Sequence, residues 1–336
     1  MSRKGPLIGR LALAVLISSV SASCVDRAEE VPSGTEQSAD AMGPSGGYNQ
    51  RDLDVARPFG GRAHAAVARA LEGSVDIHMH THPDIAERPV DAFEAADLAR
   101  FYGLRAVVLK NHYEPTAAQA FLVREVVSEV EIFGGITMDL TNGGVNAAAV
   151  EHMANLEGGF GRLVWMPTYD AEAVVRRRQS DQPFAPVSHN GELLPETKAV
   201  ISVIAEYGLI LATGHVSPEE GLMLVREGRR QGVEHMVVTH AMDSDWTVPQ
   251  MREAADMGAF IEWAKPLGGI SIDEYAEGIR SVGPEFTFLS QVGVSHLPPE
   301  LVGAFAVALL ERGFTDRDLD RMMKQNPARL LGLSVP

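Results

Sequence analysis

The stretch Asp76-Ile77-His78-Met79-His80-Thr81-His82-Pro83-Asp84 places three histidines at alternate positions directly after an apolar run. In a β-strand, side chains two residues apart point to the same face of the sheet, about 6.5–7 Å from each other. His78 and His80 can therefore converge on one cation, because imidazole nitrogen is the commonest metal donor in proteins. Pro83 ends the strand, since it cannot donate to a strand ladder. The stretch predicts a buried strand with metal-binding chemistry at its carboxyl end.

Beyond this strand, short apolar runs alternate with helical segments to the end of the chain. Strands that alternate with helices imply a parallel sheet. Eight such units predict an α/β protein with a (β/α)8 TIM barrel, a fold of about 250 residues whose active site lies at the carboxyl ends of the strands. A doubly wound open sheet is the alternative. The predicted strands are Val75–His80, Ala106–Lys110, Ile132–Thr137, Leu163–Pro167, Leu209–Gly214, His235–His240, Ala259–Trp263 and Phe286–Ser290.

Helices are predicted between these strands. Ser217 as N-cap, Pro218 at the first helical position and Glu220 three residues after the cap mark one helix start well. The predicted helices are Val90–Tyr102, Ala117–Val130, Asn146–Leu156, Glu196–Tyr207, Pro218–Gln231, Val248–Met257, Ile272–Ser281, Pro299–Arg312 and Thr315–Lys324.

Histidines gather at the carboxyl ends of the predicted strands. Six of the 11 histidines in the chain fall there: His78, His80, His82, His112, His215 and His240. Histidines scattered through a core or over a surface would not favour one rim of a barrel. The clustering therefore predicts a site for a divalent metal at that rim.

With these residues the chain resembles the amidohydrolase superfamily of metal-dependent hydrolases, over about residues 70–336. The resemblance rests on His78-Met79-His80, on His215 and His240 after the fifth and sixth strands, and on the closing segment Asn326-Pro327-Ala328-Arg329-Leu330-Leu331-Gly332-Leu333. In its details the chain looks most like a branch of the superfamily that has no assigned substrate.

The resemblance implies a metal site and a reaction. His78, His80 and His215 would bind a divalent cation, usually Zn²⁺, and His240 would either bind it or polarise the substrate carbonyl. A cation held by neutral imidazoles keeps positions open for water and lowers the pKa of that water to about 7. The expected reaction is hydrolysis of a small-molecule amide, ester or lactone. One ion is favoured over two, because the fourth strand, Leu163–Pro167, offers no lysine or glutamate as a bridge.

The chain departs from the superfamily pattern on the eighth strand. Gln291 stands there in place of the usual aspartate, which is both metal ligand and general base. Glutamine can coordinate through its oxygen but cannot accept a proton, and losing a general base costs roughly 10²–10⁴ in rate. A metal-binding or ligand-binding barrel with impaired catalysis is therefore an alternative. A phosphoesterase is a further alternative, because phosphoesterases of a related barrel type also begin with alternating histidines.

Four residues are predicted to carry the chemistry beside the metal. Lys110 on an apolar strand needs an anion or an open cavity, so we expect it to anchor a substrate anion or to bridge metals. His240 or Lys110 would stabilise the developing oxyanion. His112 or Glu262 would move the proton, although Glu262 could instead pair structurally with Lys110.

The N-terminus predicts export. Arg3 and Lys4 precede the short apolar run Leu11–Ile17, which is followed by Ser21-Ala22-Ser23 and then by Cys24. The run is too short to span a bilayer and is typical of a signal peptide. Residues 1–24 are predicted to be a lipoprotein-type signal peptide, with a lipid anchor on Cys24 as the sole membrane contact; an ordinary secreted protein is the alternative. The expected location is periplasmic or at the cell surface.

The composition of the rest of the chain indicates its domain organisation and argues against nucleic acid as a partner. Residues 25–65 are rich in Ser, Gly, Ala, Glu and Pro and predict a flexible linker and N-terminal arm, followed by the hydrolase barrel at 66–336. The chain carries a formal net charge of −16. Nucleic acid is a poor partner for it, because such binding depends on Lys and Arg that neutralise phosphates. Cys24 is the single cysteine, so no disulfide can form within the chain.

Overall fold

A computed structural model describes residues 62–85, 88, 90–264, 270–291 and 298–335. The predicted signal peptide, Cys24 and nearly all of the predicted linker lie outside the described residues. None of the described helices combines the length and the hydropathy that a membrane crossing needs.

Eight parallel strands follow one another around a nearly closed barrel in the order of the sequence. This arrangement confirms the predicted (β/α)8 barrel, because a doubly wound sheet would reverse its strand order partway. The strands are β1 (Val75–His80), β2 (Ala106–Lys110), β3 (Glu131–Thr137), β4 (Gly161–Trp165), β5 (Ile210–Ala212), β6 (His235–Val238), β7 (Ala259–Ala264) and β8 (Thr287–Ser290).

Helices surround the barrel, and the last of them closes one end. They are α1 (Arg62–Leu71), α2 (Ala92–Phe101), α3 (Ala117–Arg124), α4 (Ala147–Ala154), α5 (Glu172–Arg177), α6 (Pro195–Glu206), α7 (Pro218–Gln231), α8 (Val248–Asp256), α9 (Ile272–Val282), α10 (Pro298–Leu310), α11 (Asp316–Asp320) and α12 (Asn326–Leu330). A short antiparallel hairpin pairs Ser188–His189 with Glu192–Leu193 between β4 and α6. The sequence did not predict α1, α5, α12 or this hairpin, and it joined α11 to the π-helical turn Arg321–Gln325.

The predicted capping pattern explains why α7 begins where it does. The Ser217 hydroxyl accepts from the Glu220 N–H at 3.2 Å, and the Glu220 carboxylate accepts from the Ser217 N–H at 3.2 Å. Gly232 ends the helix in the left-handed conformation, with φ of 84°. A lost cap of this kind costs about 1 kcal/mol. Local sequence therefore determines both ends of α7.

The barrel interior is apolar, and the C-terminal segment closes it at the amino-terminal ends of the strands, called here the base. Ala328, Leu330 and Leu331 pack with interior side chains that include Val75 at the start of β1. Asn326 secures this segment, because its side-chain NH₂ donates to the carbonyls of Pro284 at 2.8 Å and Thr287 at 2.6 Å. The Asn-Pro-Ala stretch is thus structural in this protein.

β1 carries a bulge just below the opposite end, the mouth, where the strands have their carboxyl ends. Its register against β2 shifts between Asp76 and Met79. The bulge lets two sequence neighbours face inward: Ile77 packs in the interior and His78 bonds across the barrel. The Asp76 carboxylate accepts from the His78 N–H at 3.0 Å and from the Gln291 N–H at 3.1 Å. Asp76 therefore links β1 to the end of β8, and burial raises its pKa to about 7.

Candidate active site at the barrel mouth

Five histidine side chains form a closed circle at the mouth, called here the imidazole circle. The distances between ring centroids around it are 5.2 Å (His78–His80), 4.7 Å (His80–His112), 5.8 Å (His112–His215), 4.8 Å (His215–His240) and 5.6 Å (His240–His78). His78, His80 and His112 are buried, whereas His215 and His240 are partly exposed. The circle therefore has an inner, closed side and an outer side that solvent can reach.

The imidazoles of the circle are held in their neutral form. Burial lowers the pKa of every one of them below the usual 6.5, and for His240 to about 3. Nearby cations, Lys110 among them, act in the same direction. A neutral imidazole has a free lone pair and is the form that binds metals. The circle is therefore a set of metal donors at neutral pH.

A glycine turn places His215. Gly214 has φ of +62°, and a Cβ at this position would stand 2.1 Å from the Met166 carbonyl oxygen. Only glycine can occupy so close an approach in this conformation. The turn lets the His215 N–H donate to the Pro167 carbonyl at 2.9 Å, which anchors the end of β5 to the end of β4. The predicted strand 209–214 is shorter for the same reason, because the chain turns after Ala212.

His240 has a strained backbone, which a hydrogen bond within the site holds in place. Its φ of 21° and ψ of 67° lie in a region that L-residues seldom occupy. Its N–H donates to Glu262 Oε2 at 2.9 Å. In this position the Nε2 atoms of His240 and His215 stand 3.1 Å apart. Two nitrogens on one tetrahedral Zn²⁺ at the usual bond length would be about 3.3 Å apart.

Glu262, His78 and Lys110 form a buried hydrogen-bonded chain. The His78 Nδ1 lies 2.7 Å from Glu262 Oε1, and its Nε2 lies 2.9 Å from Lys110 Nζ. Burial alone would raise the pKa of Glu262, but its interactions with His78 and the hydrogen bond from Ser290 outweigh burial and hold that pKa at about 2. Glu262 is thus ionised and accepts from His78 Nδ1–H, so His78 Nε2 accepts from Lys110. Burial lowers the pKa of Lys110 to about 7, against the opposing charge of Glu262.

A second chain orients His112. The Thr168 hydroxyl donates to Asp139 Oδ2, and Asp139 Oδ1 accepts from the Thr168 and Asp170 N–H groups at 2.8 and 2.9 Å. Thr168 has one hydroxyl hydrogen, so its oxygen accepts from His112 Nδ1–H, 2.6 Å away. The lone pair of His112 therefore lies on Nε2. Tyr169 stacks on the His112 ring, with 3.9 Å between centroids, and holds it further.

Trp165 forms the floor of the site. Its ring lies 5.7 Å from the His78 ring, and Lys110 Nζ stands 4.8 Å from its centroid. Space for the indole comes from Gly135 on β3, where a Cβ would meet Trp165 at 2.6 Å and the Leu163 carbonyl oxygen at 2.4 Å. An ammonium over an indole face is attracted to it. The floor therefore holds the amine of Lys110 beneath the circle.

The structure brings Lys110, His112, His240 and Glu262 together, as the strand-end pattern predicted. Gln291 differs: its peptide N–H bonds Asp76, and its side-chain Oε1 and Nε2 are buried without a hydrogen-bond partner. The contact from β8 to the cluster is instead Ser290, whose hydroxyl donates to Glu262 Oε1 at 2.7 Å. The roles of Ser290, Thr168 and Asp139 were not predicted, although all three lie at strand ends, where the same rule could have found them.

Over the described part of the chain, a single group of three histidine or carboxylate side chains has its donor atoms within 4.8 Å of one another: His82, Asp91 and Glu94. These side chains lie on the rim, and Asp91 and Glu94 already form the capping box of α2. Among the mouth histidines, His215 and His240 bring two nitrogens together. The His215–His240 pair fits a metal, His80 Nδ1 is buried without a partner, and both nitrogens of His78 are engaged.

Comparison with known proteins agrees with this fold. Residues 73–262 match a family described as "Family of unknown function (DUF6282)". No curated protein matches the sequence. Among solved structures, an amidohydrolase from Pseudomonas aeruginosa aligns with a TM-score of 0.54 and 14% identity, covering 80% of this chain and 98% of the other.

Two further structures show the same similarity. Organophosphorus hydrolase from Deinococcus radiodurans aligns with a TM-score of 0.54 and 15% identity, covering 79% of this chain and 94% of its own. The probable dipeptidase PvdM from Pseudomonas aeruginosa aligns with a TM-score of 0.55 and 11% identity, covering 85% and 98%. Identities this low establish the fold. The chain shares its fold with these three proteins, an amidohydrolase among them.

Proposed function

The chain belongs to this family of unknown function (DUF6282), and we propose that it is a metal-dependent hydrolase acting on a small amide, ester or lactone. One observation carries the proposal: the Nε2 atoms of His215 and His240 face each other at 3.1 Å inside a circle of five neutral imidazoles. Two imidazole nitrogens that face the same small space are better placed to share a cation than to form a hydrogen bond with each other.

His215 and His240 would hold the cation, and His80, whose buried Nδ1 has no partner, would join them only after a side-chain movement. His78 was predicted as a ligand too, but its Nε2 accepts from Lys110 in the observed arrangement, so it would bind metal only if that amine withdrew. One ion is proposed, with Zn²⁺ as the first candidate because it suits imidazole ligands. When bound, a divalent cation polarises a carbonyl and acidifies water.

His112 is the group best placed to take the proton of the attacking water. Asp139 and Thr168 hold it with the lone pair on Nε2. Glu262 was the other candidate, but its two oxygens already accept from His78, Ser290 and the His240 N–H. A carboxylate whose two oxygens already accept from three donors is poorly placed to accept a further proton. Glu262 therefore orients His78 and His240 instead.

Lys110 is placed to stabilise negative charge. Its amine sits between His78 Nε2 and the face of Trp165, in a buried site where water cannot screen it. A fixed donor of this kind contributes most when charge develops on a substrate oxygen during the reaction. We assign Lys110 to the developing oxyanion, which leaves Gln291 without a catalytic role.

The test joins metal content to turnover. Purified protein is analysed for bound metal and assayed on a panel of esters, amides, lactones and phosphoesters, beside His215→Ala and the exposed control His152→Ala on α4. Bound metal and carbonyl hydrolysis, both lost in His215→Ala alone, are expected. Metal binding without any turnover would support the impaired barrel, and phosphoester turnover alone would support the phosphoesterase. Equal metal content in wild type and His215→Ala would refute the metal site.

Export is a separate proposal that rests on the N-terminal sequence. We propose that residues 1–24 direct the protein out of the cytoplasm and that Cys24 carries a lipid. Mass spectrometry of the mature N-terminus tests both points. A Cys24→Ala variant should leave the membrane fraction, and one that stays there would contradict the anchor.

A further inference from the structure

The loop between β1 and α2 holds a buried ion pair that the mechanism above does not use. Arg88 Nε donates to Asp84 Oδ2 at 2.6 Å, and the two side chains are 3% and 0% exposed. Each partner also has a buried atom without any hydrogen-bond partner: Arg88 Nη2, a donor, and Asp84 Oδ1, an acceptor. Buried polar atoms in folded proteins are normally paired. One bound ligand can pair with both the unpaired donor of Arg88 and the unpaired acceptor of Asp84.

The pair lies in the loop that follows β1, whose Pro83 is bonded to Asn111 beside His112. Of all neighbouring charges, that of Arg88 has the largest effect on the pKa of His80, which it lowers, and it also lowers the pKa of His112 and Lys110. The loop is tied to the end of β2, because the Asn111 side chain donates to the Pro83 carbonyl at 2.9 Å. The charge of the guanidinium therefore reaches His80, His112 and Lys110 at the mouth.

We propose that Arg88 binds a carboxylate of the substrate and that Asp84 accepts a hydrogen bond from a donor on the neighbouring atom of that substrate. The inference rests on the proposed function and adds the substrate class: a small carboxylate with an O–H or N–H beside it. A guanidinium matches the planar geometry of a carboxylate. In a chain of net charge −16, an anionic substrate needs such a fixed cation inside the site.

The charges around Arg88 agree with this class. Asp84 leaves Nη2 unused, and the carboxylate of Glu262 is already engaged by His78, Ser290 and His240. A carboxylate bound at Arg88 Nη2 would thus meet a cation without displacing the existing bond from Arg88 Nε to Asp84.

The test compares two probes that lack a hydrolysable bond. Glycolate has a carboxylate beside a hydroxyl, and hydroxyacetone has the same shape with a methyl group in place of the charged oxygen. Binding to the full protein is measured by ligand-observed NMR titration. Wild type should bind glycolate at least about tenfold more tightly, since a hydrogen bond to a charged group contributes this much.

Three variants identify the source of the preference. Arg88→Met should bind both probes equally, whereas Arg230→Met, which breaks an exposed ion pair on α7, should keep the wild-type preference. Asp84→Asn keeps an acceptor oxygen for the hydroxyl of glycolate but removes the negative charge beside its carboxylate, so it should keep or strengthen glycolate binding, which a misfolded protein would not do. Equal binding of the two probes by wild type, or an undiminished preference in Arg88→Met, overturns the proposal. A glycolate preference without turnover on the hydrolysis panel would refute the proposed function alone, and turnover without the preference would refute this inference alone.

Discussion

The mouth and the base of the barrel differ in how their polar groups are satisfied. At the base, Asn326 donates to two carbonyls and holds apolar residues such as Leu330 in the interior. At the mouth, His80, Arg88 and Gln291 keep buried side-chain atoms without partners. Arg162 near the base is an exception to this division. The difference indicates that the base contributes stability, while the mouth gives up some stability to keep donors and acceptors free for a ligand.

The largest expected effect is at the mouth and concerns activity. His112→Ala should lower kcat/KM about 10²–10⁴-fold, because it removes the proposed proton acceptor. The measurement is steady-state hydrolysis of the best substrate in the panel, with circular dichroism to verify folding. His152→Ala on α4 is the matched control and should retain full activity. Full activity of His112→Ala would show that the proton goes elsewhere.

At the base, the largest effect should be on stability. Leu330→Ala removes a side chain that is 1% exposed and should lower the free energy of unfolding by about 2–5 kcal/mol, with kcat unchanged. Urea denaturation measures the loss. Leu122→Ala, at a position 60% exposed, is the control and should change stability little. A loss of activity in folded Leu330→Ala would contradict the proposal that the base serves stability and the mouth serves activity.

The polar contact at the base should have a smaller effect. Asn326→Ala leaves the carbonyls of Pro284 and Thr287 without their donor, which should cost about 1–3 kcal/mol. Urea denaturation is again the measurement, and Asn155→Ala, whose exposed side chain bonds Glu151, is the control. Equal stability of Asn326→Ala and wild type would mean that water replaces the lost amide.

The smallest effect expected is a pH dependence that comes from the mouth. The pKa of His240 is about 3 in the folded chain and about 6.5 in the unfolded chain. Below pH 6.5 the unfolded chain therefore binds a proton that the folded chain does not, and stability falls as the pH falls toward 3. Between pH 7 and 5 this loss is about 2 kcal/mol for one histidine. Between pH 7 and 5, the free energy of unfolding of His240→Gln should fall by about 2 kcal/mol less than that of wild type. Leu330→Ala should show the same pH dependence as wild type. Identical pH dependence in all three proteins would show that His240 is not its source.

Local sequence predicted most of the fold. The bounds of β1, β2 and α7 agree with prediction, because apolar runs, Pro83 and the Ser217 capping box act over a few residues. The bulge at 76–79 depends on how β1 pairs with its neighbour, so no local pattern announces it. The sequence did not predict helix α12, because its apolar residues fill the barrel and do not form an amphipathic face.

The sequence indicated several of the residues that lie together at the mouth, but not the contacts between them. Strand-end positions brought out Lys110, His112 and Glu262, since parallel strands end at one rim. The bond between His78 and Glu262 joins residues 184 positions apart, and only the closed barrel brings them together. Arg88 lies in a loop without periodicity, and nothing in its surroundings along the sequence marks it.

The junction of β1 and β8 has a consequence for motion. Within the described residues these two strands share no ladder pairing. In place of a backbone-to-backbone hydrogen bond, the Gln291 N–H just after β8 donates to the carboxylate of Asp76 on β1. The barrel is in effect a rolled sheet with one seam, and a seam held by a side chain opens at a lower free energy than one held by a ladder. Amide hydrogens along β8 should therefore exchange with deuterium before those of β4. The local opening that allows this exchange would widen the mouth beside His78 without unfolding the rest of the barrel.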